Sequence, residues 1–382
     1  MKTTKKHEFH LIAAWIPIKG KKTRLNDRKF KKFMNTFWGV DIVEWEQKDK
    51  DFGNIHSLHK LAGPGMKNKY LMISDSNQSQ LDRKTGNMAN VKRDYTALTS
   101  FTYGDYLICL GWNTAAQIVR LSDHRVIWQC KEIYCYRDDR IAHWCSYNQM
   151  AQLCRHVLCY ISHDDRKLVK IDVKALIPKI ELGGDMDSCY EILDEDVVDV
   201  CMDRNPADIY WITKDDRIVK NSIKMVIDDN FEQVANKLRN SGLHLNNICK
   251  RDRYLILGFT NRYKLESYCR LYSLSGKYLD HCRSKGRTSR IQIFTAFRID
   301  MAIIGCEQSA VFILAIHRGR FYPLTDYLNI MTTGENKICN IITNLNPEKE
   351  IIVLGNKIVS LKILLSPPIR PPKKQSKFCT LI

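Results

Sequence analysis

Short apolar strings separated by polar turns recur through the middle of the chain. YLMIS from Tyr70, YLICLG from Tyr106, VLCYIS from Val157 and DIYWIT from Asp208 are four of them. YLILGF from Tyr254, MAIIGC from Met301 and EIIVLG from Glu350 complete the series. Each reads as the first strand of a unit, followed by a polar turn and a second strand. Six intervals cover 280 residues, about 47 each, with the first interval at 36. A period of that size is the mark of a blade-like repeat. The turns repeat too: ISHDDRKLVK at 161–170 overlays ITKDDRIVK at 212–220. Asp164, Asp165, Asp215 and Asp216 therefore read as solvated hairpin-turn residues in preference to a metal or acid–base site.

The fifth unit is the fullest. LNNIC at 245–249, YLILGF at 254–259, YCRLYSL at 268–274 and YLDHC at 278–282 give four strands, with a turn at Ser275, Gly276 and Lys277. Four short strands per unit over seven units can close a sheet into a ring without exposed edges. Helical insertions are few. The best lies at 230–240, where Phe231, Val234, Ala235 and Leu238 share a face and Gly242 follows as a stop.

On period and strand order, residues 50–365 resemble the WD-repeat class of β-propellers, although no Trp is followed by Asp and no Gly by His. The resemblance implies an all-β, seven-bladed propeller. It also implies a remedy for the last unit, which runs into a Pro-rich tail before an outer strand can form. In the resembled fold a strand from the start of the chain completes the last blade. FWGVDIVEWEQ at 37–47 is the natural donor, with Val40, Ile42 and Trp45 available to pack inward; 9–18 is the alternative. Either donor brings both chain ends to one part of the ring.

Charge sharpens this division. Of a net +18, residues 1–37 carry +9 and residues 366–382 carry +4, which leaves +5 for the remainder. The organisation expected is a basic segment at 1–36, a nearly balanced ring at 37–365 and a polybasic tail at 366–382. A membrane span is not expected, because the most apolar stretch, 301–316, holds Glu307 and Gln308 at its centre. Nor is secretion: LIAAWIPI at 11–18 is short and is followed by Lys19, Gly20, Lys21 and Lys22, without a small-residue cleavage site. The fourteen cysteines are irregularly spaced and many sit in apolar strings, as Cys109 and Cys306 do. They read as buried hydrophobes in a reducing cytosol.

The chain ends Cys379-Thr380-Leu381-Ile382, which resembles the CaaX box of prenylated proteins. Its terminal Ile382 leans toward geranylgeranyl. Upstream lie Arg370, Lys373, Lys374 and Lys377, and SPPIRPP at 366–372 favours an extended spacer. A lipid on Cys379 together with a polybasic patch would supply the two signals that stable membrane anchoring requires. At the other end, LNDRKFKKFMNTF at 25–37 places Phe30, Phe33, Met34 and Phe37 at helical spacing, interleaved with Lys29, Lys31 and Lys32. Asn26 or Asp27 is placed to cap that helix. Its aromatic face would enter a membrane interface or pack on the ring; the sequence leaves both open.

Other chemistry finds little support. Gly20-Lys21-Lys22-Thr23 lacks the upstream glycine of a phosphate loop, since Trp15 stands there. His143, Cys145, Cys154, His156 and Cys159 contain no Cys-x-x-Cys knuckle. Asp194, Glu195 and Asp196 form one charge run, and no Gly-x-Ser-x-Gly elbow is present. The expectation is a non-catalytic scaffold or adaptor without a cofactor. It would bind protein partners at the cytoplasmic face of a membrane, with Cys379 as the lipidation site. Arg370, Lys373, Lys374, Lys377, Lys29, Lys31, Lys32, Phe30 and Phe33 would contact the anionic surface. The rival expectation is a nucleic-acid-binding or nuclear propeller that uses the same basic ends; an enzyme with a site at the ring mouth is the third.

Overall fold

Seven antiparallel sheets, each followed by the next along the chain, form the body of the molecule. The computed structural model describes residues 25–366 apart from 48–52, 62–65, 75–77, 86, 91–98, 111–115, 124, 131–150, 163–165, 185–188, 228–230, 262–265, 286–287, 307–309, 331–337 and 344–349. Blades 1 to 6 run in sequence order over 55–90, 99–130, 151–194, 197–224, 243–285 and 288–323. Blade 7 takes Asn340–Ile342, Glu350–Leu354 and Ile358–Leu365 from the end of the chain. Its fourth strand is Phe37–Glu44, antiparallel to Ile358–Leu365 with Val40 opposite Ile363 and Ile42 opposite Leu361. The molecule is a seven-bladed β-propeller.

Each repeated apolar string is the second strand of its blade, not the first. YLICLG, for example, pairs with Thr99–Tyr103 on one side and Ala116–Arg120 on the other. The correction has a simple cause. A second strand is flanked within its sheet and covered on both faces by neighbouring blades, so nearly every position is buried. Apolar continuity therefore marks the second strand and hides the shorter, more polar first strand before it.

The core is distributed. Seven apolar clusters fill the seven junctions between adjacent blades. Cys159, Cys201, Cys249 and Cys306 are buried among them, and burial pushes the Cys159 thiol up to about 12. Among the described residues three helices pack into junctions: α1, Leu25–Thr36, between blades 6 and 7; α2, Val173–Glu181, between blades 2 and 3; and α3, Phe231–Asn240, between blades 4 and 5. For α2, Asp172 accepts hydrogen bonds from the amides of Lys174 and Ala175 and so caps the first turn. Val173, Leu176, Ile177 and Ile180 form its buried stripe, and the helix tolerates Pro178 inside it. The described residues of 301–316, the most apolar stretch, belong to Ile299–Cys306 and Ala310–His317, two paired antiparallel strands of blade 6. Among the described residues no helix is long and apolar enough to cross a membrane.

Candidate functional site

The ring is tied internally by polar side chains on its innermost strands. Four of these strands, in blades 1, 4, 5 and 6, share a register shift just before Ser57, Asp199, Asn247 and Arg290. Such a shift re-aims the next side chain, and three of the four reach a neighbouring blade. Ser57 Oγ accepts from the Ser100 amide at 3.2 Å, and Asp199 Oδ2 accepts from the Ile248 amide at 2.8 Å. Arg290 Nη2 donates to the Cys339 carbonyl at 3.2 Å. Gln152 and Asn340 extend the belt, accepting from the Met202 amide at 2.6 Å and donating to the His56 carbonyl at 3.1 Å. His59 joins Ser100 Oγ at 2.7 Å, and burial pushes its imidazole down to about 4. Arg290 is pushed down to about 10 by the same cause. Nothing in the repeat pattern announced this belt, because its members differ in type from blade to blade.

Closure between blades 7 and 1 is a second polar focus. Glu350 accepts from Arg83 through both carboxylate oxygens and from Ser360, and the Arg83 guanidinium lies 4.2 Å above the Trp45 ring. Burial works against the Glu350 charge, yet the bonds from Arg83 and Ser360 outweigh it and hold the carboxyl below its usual range.

The amino-terminal helix meets blade 6. Phe30 stacks on His317 with ring centroids 4.1 Å apart and planes within 2°. Phe33 packs against Phe297 and Phe37. Phe30 and Phe33 are thus buried in the junction between blades 6 and 7, where an apolar face finds covalently tethered partners. They are not membrane-contacting residues in this packing, which corrects that expectation. The Asp27 side chain reaches from the first turn of the helix to blade 6. It accepts from His317 Nε2 at 2.9 Å and from Arg318, binding the helix start to the turn between the third and fourth strands of blade 6. Lys31 and Lys32 are exposed on the outer face and Lys29 is half-buried.

Both chain ends meet here. The Ser366 amide donates to the Thr36 carbonyl at 2.7 Å, so the carboxyl-terminal tail starts at the end of α1. Arg370, Lys373, Lys374, Lys377 and Cys379 lie outside the described residues, as do 9–18, His143, Cys145, Asp164 and Asp165. Of the remaining candidates, Cys154 donates to the Asp203 carbonyl and Cys159 is buried between blades 3 and 4. Asp215 bonds Thr213 and Arg217 within its turn, and Asp216 pairs with Arg239 of α3. Among the described residues no group of three or more His, Cys, Asp or Glu side chains is placed to hold a metal ion. The space between blades 2 and 3 is lined by apolar side chains, among them Leu110, Trp128 and Leu176.

A closed ring of seven blades, six of four strands and blade 6 with Leu328–Asn329 added as a fifth, defines the class: a seven-bladed β-propeller. No protein-family model matches the chain, and no curated protein matches it. Among solved structures it is similar to the N-terminal domain of Nup159, at 10% identity over 85% of this chain and 96% of that one, with a TM-score of 0.56. It is similar to a chain of an S. cerevisiae assembly of Dbp5 bound to Nup159, Gle1, IP6 and ADP, at 9% identity over 86% and 96%, with a TM-score of 0.55. A chain of a mitotic checkpoint complex aligns at 10% identity over 93% of this chain and 99% of that one, with a TM-score of 0.53. Likeness at this level of identity is likeness of fold.

Proposed function

We propose that the protein is a non-catalytic scaffold whose ring binds protein partners and whose prenylated, polybasic tail holds it at the cytoplasmic face of a membrane. The observation that carries the reading is the meeting of Ser366 with Thr36, which brings a basic helix and the start of a basic tail ending in a CaaX-like box to one edge of the ring. Ser57, Asp199, Arg290 and Asn340 are engaged in inter-blade bonds, an arrangement suited to rigidity. Two of the similar solved structures are of assemblies, one of Nup159 with Dbp5 and one of a mitotic checkpoint complex, which supports a partner-binding role for this ring. Propellers host many functions, so the partner has to be found by experiment.

The test compares wild type with Cys379→Ser by cell fractionation and measures the intact mass of the native carboxyl-terminal peptide. The expected result is a prenyl mass increment on Cys379 and a shift of the variant to the soluble fraction. An unmodified peptide with wild type already soluble removes the tether.

A further inference from the structure

We infer that one rim of the ring, at blades 6 and 7, is a docking surface for an anionic lipid bilayer. In an antiparallel four-stranded blade the turns after the first and third strands share one rim, and the turn after the second lies on the other. Helix α1 lies on the former rim of blade 6. Phe33 packs on Phe297 of the turn after the blade's first strand, and Asp27 binds His317 and Arg318 at the turn after its third. This packing turns the remaining surface of α1 outward. Arg28, Lys31 and Lys32 are exposed on the helix, and Arg298, Arg318 and Arg320 are exposed on the two turns beneath it. Asp27, the acidic residue of the helix, is 15% exposed and is engaged by His317 and Arg318.

An apolar element sits at the same rim. Phe37–Glu44 starts where α1 ends, and Ile358–Leu365 ends beside it. Trp38 is 66% exposed and Leu364 38% exposed. A tryptophan at the edge of a cationic field suits the headgroup region of a bilayer, where its ring is buried and its N–H stays wet. Nucleic acid would satisfy the charge as well, but Leu364 beside Trp38 and the exit of the tail at Ser366 favour lipid. The aromatic face of α1 acts as the glue to the ring, and its cationic back is the contact. The inference deepens the membrane reading above by naming the face of the ring that meets the surface, and it does not require lipidation.

The test uses the full chain carrying Cys379→Ser with Arg370→Gln, Lys373→Gln, Lys374→Gln and Lys377→Gln, so that the tail contributes neither lipid nor charge. Co-sedimentation is measured with phosphatidylcholine vesicles containing about one-third phosphatidylserine, and with phosphatidylcholine alone. Binding is expected only to the anionic vesicles, and salt should weaken it. Adding Arg28→Gln, Lys32→Gln and Arg320→Gln should lower the partition coefficient about fivefold per cation, on the order of a hundredfold together. Trp38→Ala should lower it further. Lys214→Gln with Lys237→Gln, on the opposite rim, should leave it unchanged. The inference is overturned if the triple variant sediments like its parent, if the opposite-rim pair costs as much, or if single-stranded RNA displaces the protein from vesicles at equal charge. Loss of the tether in cells with the vesicle result intact would refute only the lipidation reading; the reverse pattern would refute only this one.

Discussion

Replacing Arg83 with Met tests whether ring closure depends on a compensated buried charge. Glu350 has a side chain 5% exposed, and Arg83 is 26% exposed. Removing one partner of a fully buried pair costs about 3–5 kcal/mol. Water reaches Arg83, so about 2–3 kcal/mol is the expected loss at pH 7, and removal of the cation from above Trp45 is included in it. The signature is the pH dependence. In wild type the folded Glu350 titrates below its ordinary 4.5, so its stabilisation is present above that pH and is lost as pH falls through the folded value. In Arg83→Met the Ser360 bond remains but burial meets less opposition, so the folded value rises and the penalty, present at pH 7, shrinks as the carboxyl protonates under acid conditions. Urea unfolding followed by tryptophan fluorescence at pH 7 and about pH 4 should show the gap between variant and wild type closing. Arg83→Met with Glu350→Gln should recover much of the loss at pH 7. An equal gap at both pH values would refute the reasoning, since it would trace the loss to packing.

Gly258→Ala should lower the melting temperature measurably, because a Cβ there would stand 2.8 Å from Ile291 Cδ1 and 2.9 Å from Asn247 Cβ, at the junction of blades 5 and 6. Overpacking of this kind costs about 1–3 kcal/mol, and calorimetry showing no shift would mean the junction is loose. His59→Gln should flatten the acid limb of stability. The folded imidazole titrates at about 4 against an ordinary 6.5, so the contribution of neutral His59 is complete above 6.5 and is lost as pH falls toward 4. Chemical unfolding across that window checks this, and identical slopes for the two proteins would place His59 in open solvent.

The seven-unit period was legible in the sequence because the second strands are enclosed on every side, and enclosure demands uninterrupted apolar residues. Outer strands carry no such demand. Ile192 and Ile223 stand 50% and 71% exposed, and such positions leave little trace in the pattern. Helix α2 was missed because VKALIPKI, with Pro178 inside it, reads as an interrupted apolar string; the Asp172 cap was the signal available. The donor strand at 37–44 could be named from the missing outer strand of the last unit. Its pairing residues, over three hundred positions apart, could not.

The amphipathic helix shows where local pattern ends. Spacing alone determines that Phe30 and Phe33 share a face and that Lys31 and Lys32 point elsewhere. Whether that face meets lipid or protein depends on Phe297, His317 and Tyr322, which arrive only when the ring closes. Periodicity is a property of neighbours along the chain, whereas burial of a helix face is a competition among surfaces brought close by folding. Here the blade 6 hairpin won that competition, and so the cationic side of α1 was left facing out.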